Sequence, residues 1–304
     1  MHRIILILLA AVFSLLLFAV RPWSVHAAVT VTPAGDGHVT VPTFVDGKGP
    51  FPFIVDTGAD GSAVYQWFAQ RAKLPKISGR SETLSGMTGP VAAATYRARN
   101  IGVDGHEASD VVVDVLPDRR DKGREAGVIG NDFLDRTVTV FDFACRRIAM
   151  YPTLDSIRSI VGNNGAPVRA TRAPGTSLLQ FPVLVNGVRA TAVLDTGDRA
   201  TKLNTRLARL AGINPRSRAF RDAPPVFGAD GRPLVPRVGP IGTVEFGGVR
   251  LTNVRAQVAD VAIISQLYGA KPILWLGADL LQSVRVVYDH HANRIWFRPS
   301  ACAK

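Results

Sequence analysis

The tripeptide Asp-Thr-Gly occurs twice in this chain, each time directly after an apolar run. The first copy is Asp56-Thr57-Gly58 and the second is Asp195-Thr196-Gly197. Two carboxylates that approach to about 3 Å cannot both ionise comfortably, so such a pair holds one proton between them. The ionised member can accept a proton from water while the protonated member polarises a carbonyl group. The duplication therefore indicates a site in which two aspartates act as one acid–base unit.

Both copies lie in the same sequence context. Segments 41–47 and 181–187 are mostly apolar, and they end in Asp46-Gly47 and Asn186-Gly187. Asp-Gly and Asn-Gly between alternating runs are the strongest short signals for a β-hairpin. Each Asp-Thr-Gly is thus predicted to follow the return strand of a hairpin, with its glycine adopting the backbone angles of a sharp turn.

A second repeat lies downstream of each Asp-Thr-Gly. Segment 128–134 aligns without gaps with segment 275–281, and the register continues through 140–142 and 287–289. The offset of this repeat is 147 residues, whereas the two Asp-Thr-Gly copies are 139 residues apart. The second half is therefore about eight residues longer between its two motifs, and one module is used twice.

These residues resemble the retropepsin-like aspartic proteases. The matching pieces are the turn 54–59 and an apolar-apolar-Gly segment in each half, Val128-Ile129-Gly130 and Trp275-Leu276-Gly277. The resemblance covers nearly all of the chain after about residue 38, and it looks like a tandem version with both halves in one polypeptide. It implies an all-β fold of two retropepsin- or pepsin-like β-barrel lobes, related by internal duplication, with the active site between them.

The resemblance also implies an activity, that of an aspartic endopeptidase which hydrolyses peptide bonds with an activated water molecule. The site residues that it implies are the catalytic pair Asp56 and Asp195 and the supporting residues Thr57, Gly58, Thr196 and Gly197. The two threonines would hold the loops together through hydroxyl–backbone hydrogen bonds, and the glycines would let the backbones approach closely. A polypeptide substrate is expected, with no metal and no organic cofactor.

One residue departs from the family pattern. Ala59 after the first copy is the small residue usual there, whereas Asp198 follows the second copy. A third carboxylate pointing at the pair would raise its proton affinity by like-charge repulsion. If Asp198 instead points away, for example towards Arg199, it changes little.

The alternatives to a monomeric enzyme are a catalytically inactive peptide-binding protein of the cell envelope and a half-active chain that dimerises through its first lobe. The near-complete second repeat argues against the dimer.

Each half also offers a glycine-bearing hairpin tip after its Asp-Thr-Gly. The first spans 84–90 and the second spans 226–232. In retropepsins this position is the flap that closes over a bound peptide, and mobile loops of this kind clamp substrates. The resemblance thus implies substrate-binding roles for Gly86, Met87, Thr88 and Gly89. For the second tip, a flap and an ordinary surface hairpin are equally compatible with the sequence.

The first residues look like a secretory signal. A short positive start precedes an apolar run from Ile4 to Val20, and Val25 and Ala27 place small residues before a cleavage site. This pattern is typical of a signal peptide at 1–27, which predicts a periplasmic or secreted protein with no stable membrane span after cleavage. An uncleaved membrane anchor is the alternative.

The remaining chain divides into two lobes. The predicted boundaries are 28–152 for the N-terminal lobe, 153–176 for a linker rich in glycine and proline, and 177–304 for the C-terminal lobe. One helix is expected in each lobe after the Asp-Thr-Gly, at Gln66–Lys73 and at Thr205–Ala211.

The formal net charge is +12, which favours anionic partners, but the basic residues are scattered. Because no nucleic-acid-binding motif accompanies them, we favour a solvated basic face and expect no nucleic-acid partner.

His290-His291 suggests a metal, yet adjacent residues of a strand point to opposite faces and could not bind one ion together.

The chain has two cysteines, Cys145 and Cys302. The family resemblance places both near the floor that joins the lobes. A disulfide between them in an oxidising compartment and a pair of free thiols are both compatible with the sequence.

Overall fold

The computed structural model describes residues 29–33, 38–86, 89–119, 123–153, 157–162, 165–227 and 232–303. Strands dominate these residues, and the helices are short. Across these ranges no helix is both long enough and apolar enough to span a membrane. The segment 1–27, expected to be a signal peptide, lies outside the described residues.

The described part of the first half contains strands of two to fourteen residues and two short helices. In chain order they are β1 Val29–Thr30, β2 Thr32–Pro33, β3 Val39–Val45, β4 Lys48–Val55, β5 Ala63–Tyr65, α1 Gln66–Ala72, β6 Lys76–Ser85, β7 Pro90–Val103, β8 His106–Leu116, β9 Gly127–Ile129, α2 Asn131–Leu134, β10 Thr137–Asp142 and β11 Arg147–Pro152. Eight of these strands form one sheet in the order β2-β3-β4-β9-β5-β8-β7-β6. Because β3 also pairs with β7, the sheet closes into a barrel.

The second half repeats this arrangement after a connecting segment. Its elements are α3 Ile157–Val161, β12 Val168–Arg169, β13 Thr171–Arg172, β14 Leu179–Val185, β15 Val188–Leu194, β16 Lys202–Leu203, α4 Thr205–Leu210, β17 Arg221–Asp222, β18 Val226–Phe227, β19 Pro233–Leu234, β20 Arg237–Phe246, β21 Val249–Val258, α5 Ala262–Tyr268, β22 Ile273–Leu276, β23 Val284–Asp289 and β24 Arg294–Pro299. The second eight-stranded sheet has the order β13-β14-β15-β22-β16-β21-β20-β17, and β14 also pairs with β20.

The two predicted hairpins are present at equivalent places. Strands β3 and β4 turn at Asp46-Gly47, with φ values of 51° and 75°, and β14 and β15 turn at Asn186-Gly187, with φ values of 50° and 80°. Two consecutive positive φ values match the twist of antiparallel strands, and Asp, Asn and Gly tolerate them best. The turn residues therefore set the register of the strands that lead to each Asp-Thr-Gly.

A third sheet joins the two halves. Its six strands have the order β1-β11-β10-β23-β24-β12, so the equivalent strands β10 and β23 pair with each other at its centre. Val140 lies opposite Val287, its counterpart in the repeat. The disulfide Cys145–Cys302 ties the turn after β10 to the segment after β24. The sequence was compatible with either a disulfide or two free thiols. In the structure the disulfide forms and links the two halves at this sheet.

One continuous apolar core runs through both halves. Phe53, Phe141, Phe181, Tyr288 and Phe297 belong to it, and each is at most 2% exposed. Burying an aromatic side chain of this size contributes roughly 1.5–3 kcal/mol relative to an exposed one. The two lobes are therefore joined by packing as well as by backbone hydrogen bonds.

The helices and the connecting segment differ from the sequence predictions in detail. Helices α1 and α4 lie where expected, but α1 ends at Ala72, and the next residue, Lys73, has a left-handed φ of 54°. The segment 153–176, expected to be a linker, contains α3 and the short strands β12 and β13. Strand β12 pairs with β24 of the joining sheet and β13 pairs with β14 of the second barrel.

Candidate active site

The two Asp-Thr-Gly turns begin where two pairs of parallel strands end. Strand β4 is parallel to β9 and β15 is parallel to β22. The Asp56 amide donates to the carbonyl of Ile129 at 2.9 Å, and the Asp195 amide donates to the carbonyl of Leu276 at 3.0 Å. Each aspartate is therefore held at the end of its own barrel by the repeated apolar-apolar-Gly segment.

The turns are bonded to each other through their threonines. The Thr57 hydroxyl donates to the Leu194 carbonyl at 2.9 Å, and the Thr196 hydroxyl donates to the Val55 carbonyl at 2.6 Å. The Thr57 hydroxyl oxygen also accepts the Thr196 amide at 3.0 Å, and the Thr196 hydroxyl oxygen accepts the Thr57 amide at 3.1 Å. Both threonines are buried, so these bonds do not compete with bulk water.

The glycines allow close approach of the two loops. A Cβ atom at Gly58 would overlap the carboxyl group of Asp195, and one at Gly197 would overlap the carboxyl group of Asp56. The backbone of each loop thus lies against the aspartate of the other. No residue with a side chain fits at either position without displacing a carboxyl group.

The carboxyl groups of Asp56 and Asp195 lie close together, each packed against the glycine of the opposite loop, and each changes the pKa of the other. Burial raises the pKa of Asp195 well above its usual value, and the negative charges of Asp56 and Asp198 add to that effect. Burial also raises the pKa of Asp56, against hydrogen bonds from Asp195 and from the Gly58 amide, 2.7 Å away. A pair with these properties retains one shared proton into a pH range where an isolated aspartate has lost it.

Asp195 has a hydrogen-bond environment that Asp56 lacks. Its Oδ1 accepts the Asp198 amide at 2.8 Å, and its Oδ2 accepts the indole N–H of Trp275 in strand β22. In the first half the residue that aligns with Trp275 is Val128, which has no donor. The two aspartates are therefore chemically inequivalent although the modules are repeats.

Asp198 is paired with a lysine. The ammonium group of Lys202 donates to Oδ2 of Asp198 and to the Ala200 carbonyl at 3.0 Å, and the lysine is only 1% exposed. From the sequence Arg199 was the suggested partner, and the partner seen in the structure is Lys202. The charge of Asp198 nevertheless contributes to the raised pKa values of both aspartates of the pair.

A second pair of residues supports each loop in the same way in both halves. The Ser62 hydroxyl donates to Asp132 at 2.7 Å, and the Thr201 hydroxyl donates to Asp279 at 2.6 Å. Each hydroxyl also accepts the amide of the glycine that ends the apolar-apolar-Gly segment. These residues were not predicted, although a hydroxyl and an aspartate recur at the 139- and 147-residue offsets of the two repeats.

Asn131 connects the first loop to the opposite half. Its amide donates to the Thr57 carbonyl at 3.0 Å, and its oxygen accepts the Tyr288 hydroxyl at 2.8 Å. The equivalent positions in the repeat are Ala278 and Phe141, which cannot form this chain of bonds. Asn131 and Tyr288 therefore connect the first Asp-Thr-Gly loop to the C-terminal lobe. The second loop has no equivalent pair of side chains at these two positions.

The predicted flap lies on the hairpin of β6 and β7. The Gly86 amide donates to the Gly89 carbonyl at 3.0 Å, whereas Met87 and Thr88 are outside the described residues. The Ser85 hydroxyl contacts Gln266 of helix α5 at 3.5 Å, so this hairpin reaches the opposite half. At the second tip, β18 pairs with β19, and residues 228–231 are outside the described ranges.

The interpretation of His290-His291 as strand residues was wrong. Strand β23 ends at Asp289, and both histidines lie in the following turn, where the chain no longer alternates faces. Both rings contact the same carboxylate, Asp135, at 2.7 and 3.3 Å. His290 is buried and bridges the two halves, while His291 is exposed.

Comparison with known protein families agrees with the duplicated architecture. The sequence profile described as aspartyl protease matches residues 41–133 and, a second time, residues 181–280. These matches contain both Asp-Thr-Gly turns and both apolar-apolar-Gly segments. No curated protein sequence matches the chain. Since the two matches together cover more than half of its length, the chain belongs to the aspartyl protease family.

Proposed function

We propose that the protein is an aspartic endopeptidase whose catalytic pair is Asp56 and Asp195. The observation that carries this proposal is the close approach of the Asp56 and Asp195 carboxyl groups at the meeting point of the lobes, where each lies against the glycine of the opposite loop. Threonine bonds and glycine contacts hold both groups in place. A geometry fixed before substrate arrives is what general acid–base catalysis requires.

In the proposed reaction a water molecule between the two carboxyl groups is the nucleophile. Asp195, whose pKa is raised the more strongly, holds the shared proton and donates a hydrogen bond to the scissile carbonyl. Ionised Asp56 accepts a proton from the water as the oxygen attacks the carbonyl carbon. That proton then passes to the leaving amine, and no covalent intermediate forms with the enzyme.

The substrate in this proposal is an extended polypeptide bound under the hairpin of β6 and β7. Extended peptides bind through strand-like backbone hydrogen bonds, with side-chain pockets adding specificity. We assign Gly86, Met87, Thr88 and Gly89 to the flap that covers the substrate. The contact between Ser85 and Gln266 supports this role because it places the hairpin across to the opposite lobe.

We also propose that the protein acts outside the cytoplasm, in the periplasm or as a secreted enzyme. The signal-like pattern at 1–27 and the Cys145–Cys302 disulfide support this, because structural disulfides persist mainly in oxidising compartments. A monomer suffices, since one chain supplies both aspartates.

The inactive peptide-binding alternative requires that Asp198 or the geometry of the lobes disables the pair, and the close approach of the two carboxyl groups argues against a disabling geometry. The test is digestion of a proteome-derived peptide library by the purified protein at several pH values, with Asp56→Asn as the control. We expect new peptide termini that are absent from the control. Library binding without any cleavage at any pH would replace the endopeptidase with the binding protein.

A further inference from the structure

Trp275 is a feature of the second module alone. It lies in strand β22, and its counterpart Val128 in β9 has a side chain that neither donates nor accepts hydrogen bonds. The indole ring of Trp275 is 6% exposed, and its N–H donates to Oδ2 of Asp195. A tryptophan thus stands where the first module has a valine, and its side chain reaches the second aspartate.

The surroundings of the ring explain why the indole stays in this position. Trp275 belongs to a separate apolar cluster with Val193, Ile264, Tyr268 and Ile273. Packing on several sides restricts the ring, and a buried N–H that loses its acceptor would carry the full cost of desolvation. The indole and the Asp195 carboxyl group are therefore a matched donor and acceptor, and both residues are buried.

The consequence for Asp195 follows from counting its donors. The Asp198 amide occupies Oδ1 and the indole occupies Oδ2, so the rotation of the carboxyl group is fixed from both sides. A donor at Oδ2 also favours the ionised form of the Asp195 carboxyl group, because a hydrogen bond to a charged oxygen stabilises it. The indole donates this hydrogen bond without adding a charge next to Asp195, whereas a lysine or an arginine would add one.

We propose that Trp275 is a positioning residue that orients the Asp195 carboxyl group through the hydrogen bond to Oδ2, which makes the two aspartates unequal. This proposal rests on the proposed protease function. The hydrogen bond favours the ionised form of Asp195 and so opposes the effects of burial and of the Asp56 and Asp198 charges. Without the indole, the pair would bind protons more tightly and would remain doubly protonated to a higher pH.

The hydrogen bond can be observed directly by NMR of ¹⁵N-labelled protein. The indole resonance of Trp275, assigned with Trp275→Phe, is expected to shift with pH as the aspartate pair titrates and to lose that shift in Asp195→Asn. Trp67 is an internal control, because its indole donates to the backbone carbonyl of Glu125 at 3.2 Å. A Trp275 resonance that does not respond to the ionisation of the pair would overturn the proposal.

Kinetics give a second readout. In Trp275→Phe we expect both pH limits of kcat/KM to move upward by about one pH unit, with kcat reduced about tenfold at the wild-type optimum. Trp296→Phe is the matched control, because Trp296 is also buried but packs against Val140 and Val287 in the joining sheet. Equal pH profiles for Trp275→Phe and wild type would contradict a positioning role.

The two proposals can fail separately. If the wild-type protein cleaves no peptide but the Trp275 resonance titrates and the titration is lost in Asp195→Asn, the protease function fails while the positioning of Asp195 stands. If peptides are cleaved and the resonance is insensitive to pH, the positioning role fails and the protease function stands.

Discussion

The ammonium group of Lys202 is buried against the carboxylate of Asp198, four residues before it in the chain. The equivalent residues of the first module are Ala63 and Ala59, so both positions differ together between the repeats. A buried charge without a partner is costly, whereas a buried pair with further hydrogen bonds is tolerated. The unusual residue after the second Asp-Thr-Gly is therefore half of a pair, and it is compatible with an intact site.

Lys202→Met is expected to lower the free energy of unfolding by about 3–5 kcal/mol, because it leaves the Asp198 carboxylate buried without its cation. The double variant Asp198→Ala/Lys202→Ala reproduces the residues of the first module and should be more stable than Lys202→Met. Urea unfolding of wild type and the two variants measures these differences in the free energy of unfolding, provided that the three proteins have the same m-value. A double variant less stable than Lys202→Met would contradict the view that an unpaired Asp198 charge causes the loss of stability in Lys202→Met.

The charge of Asp198 should also be visible in the pH dependence of activity. Its negative charge raises the pKa values of Asp56 and Asp195, so its removal in Asp198→Ala should let the pair lose its protons at lower pH. The Lys202 cation left behind acts in the same direction. We expect both limits of the rate profile to move down, by about one pH unit at constant salt. An upward movement would contradict this assignment of the electrostatics.

His290 provides a matched comparison with its neighbour. Its ring contacts Asp135 at 2.7 Å and the Ser177 carbonyl at 2.8 Å, and the Ser177 amide and hydroxyl donate to Asp60 in the first catalytic loop. His290→Phe should lower the free energy of unfolding by about 1–3 kcal/mol, since it removes two hydrogen bonds made by a buried ring. It should also slow cleavage, because Asp60 loses part of its support.

His291→Ala is the control for that prediction. The His291 side chain is 69% exposed although it contacts the same aspartate, so its loss should change the stability by no more than about 0.5 kcal/mol. Thermal unfolding of the two variants beside wild type tests the difference. Equal effects of both substitutions would mean that the contacts of His290 with Asp135 and Ser177 contribute no more than an exposed pair.

The sequence predicted the parts of the fold that local patterns determine. Asp46-Gly47 and Asn186-Gly187 specify their turns almost alone, and the repeated apolar segments predicted two barrel-like halves. The fold class and the family were confirmed by the structure and by the family profile. The disulfide required the actual distance between two chain segments, and the sequence could only leave it open.

The remaining contacts depend on side chains that meet only in the folded protein. Lysine is usually exposed and tryptophan is usually a core residue, so neither Lys202 nor Trp275 suggested a partner near the aspartates. Alignment of the two modules carries the missing signal, since it shows where alanine and valine in one copy are charged or aromatic in the other. The error at His290 arose because the strand was assumed to continue past Asp289.

The central claim is that one chain supplies both members of a catalytic pair, and the direct test is the cleavage rate of Asp56→Asn, of Asp195→Asn and of an equimolar mixture of the two. Asparagine keeps the shape of the side chain but cannot share the proton, so both variants should fold like wild type. We expect each to lose cleavage by at least about a thousandfold, and mixing should restore nothing. Full activity of Asp195→Asn would contradict the claim and would assign catalysis to a dimer of first lobes.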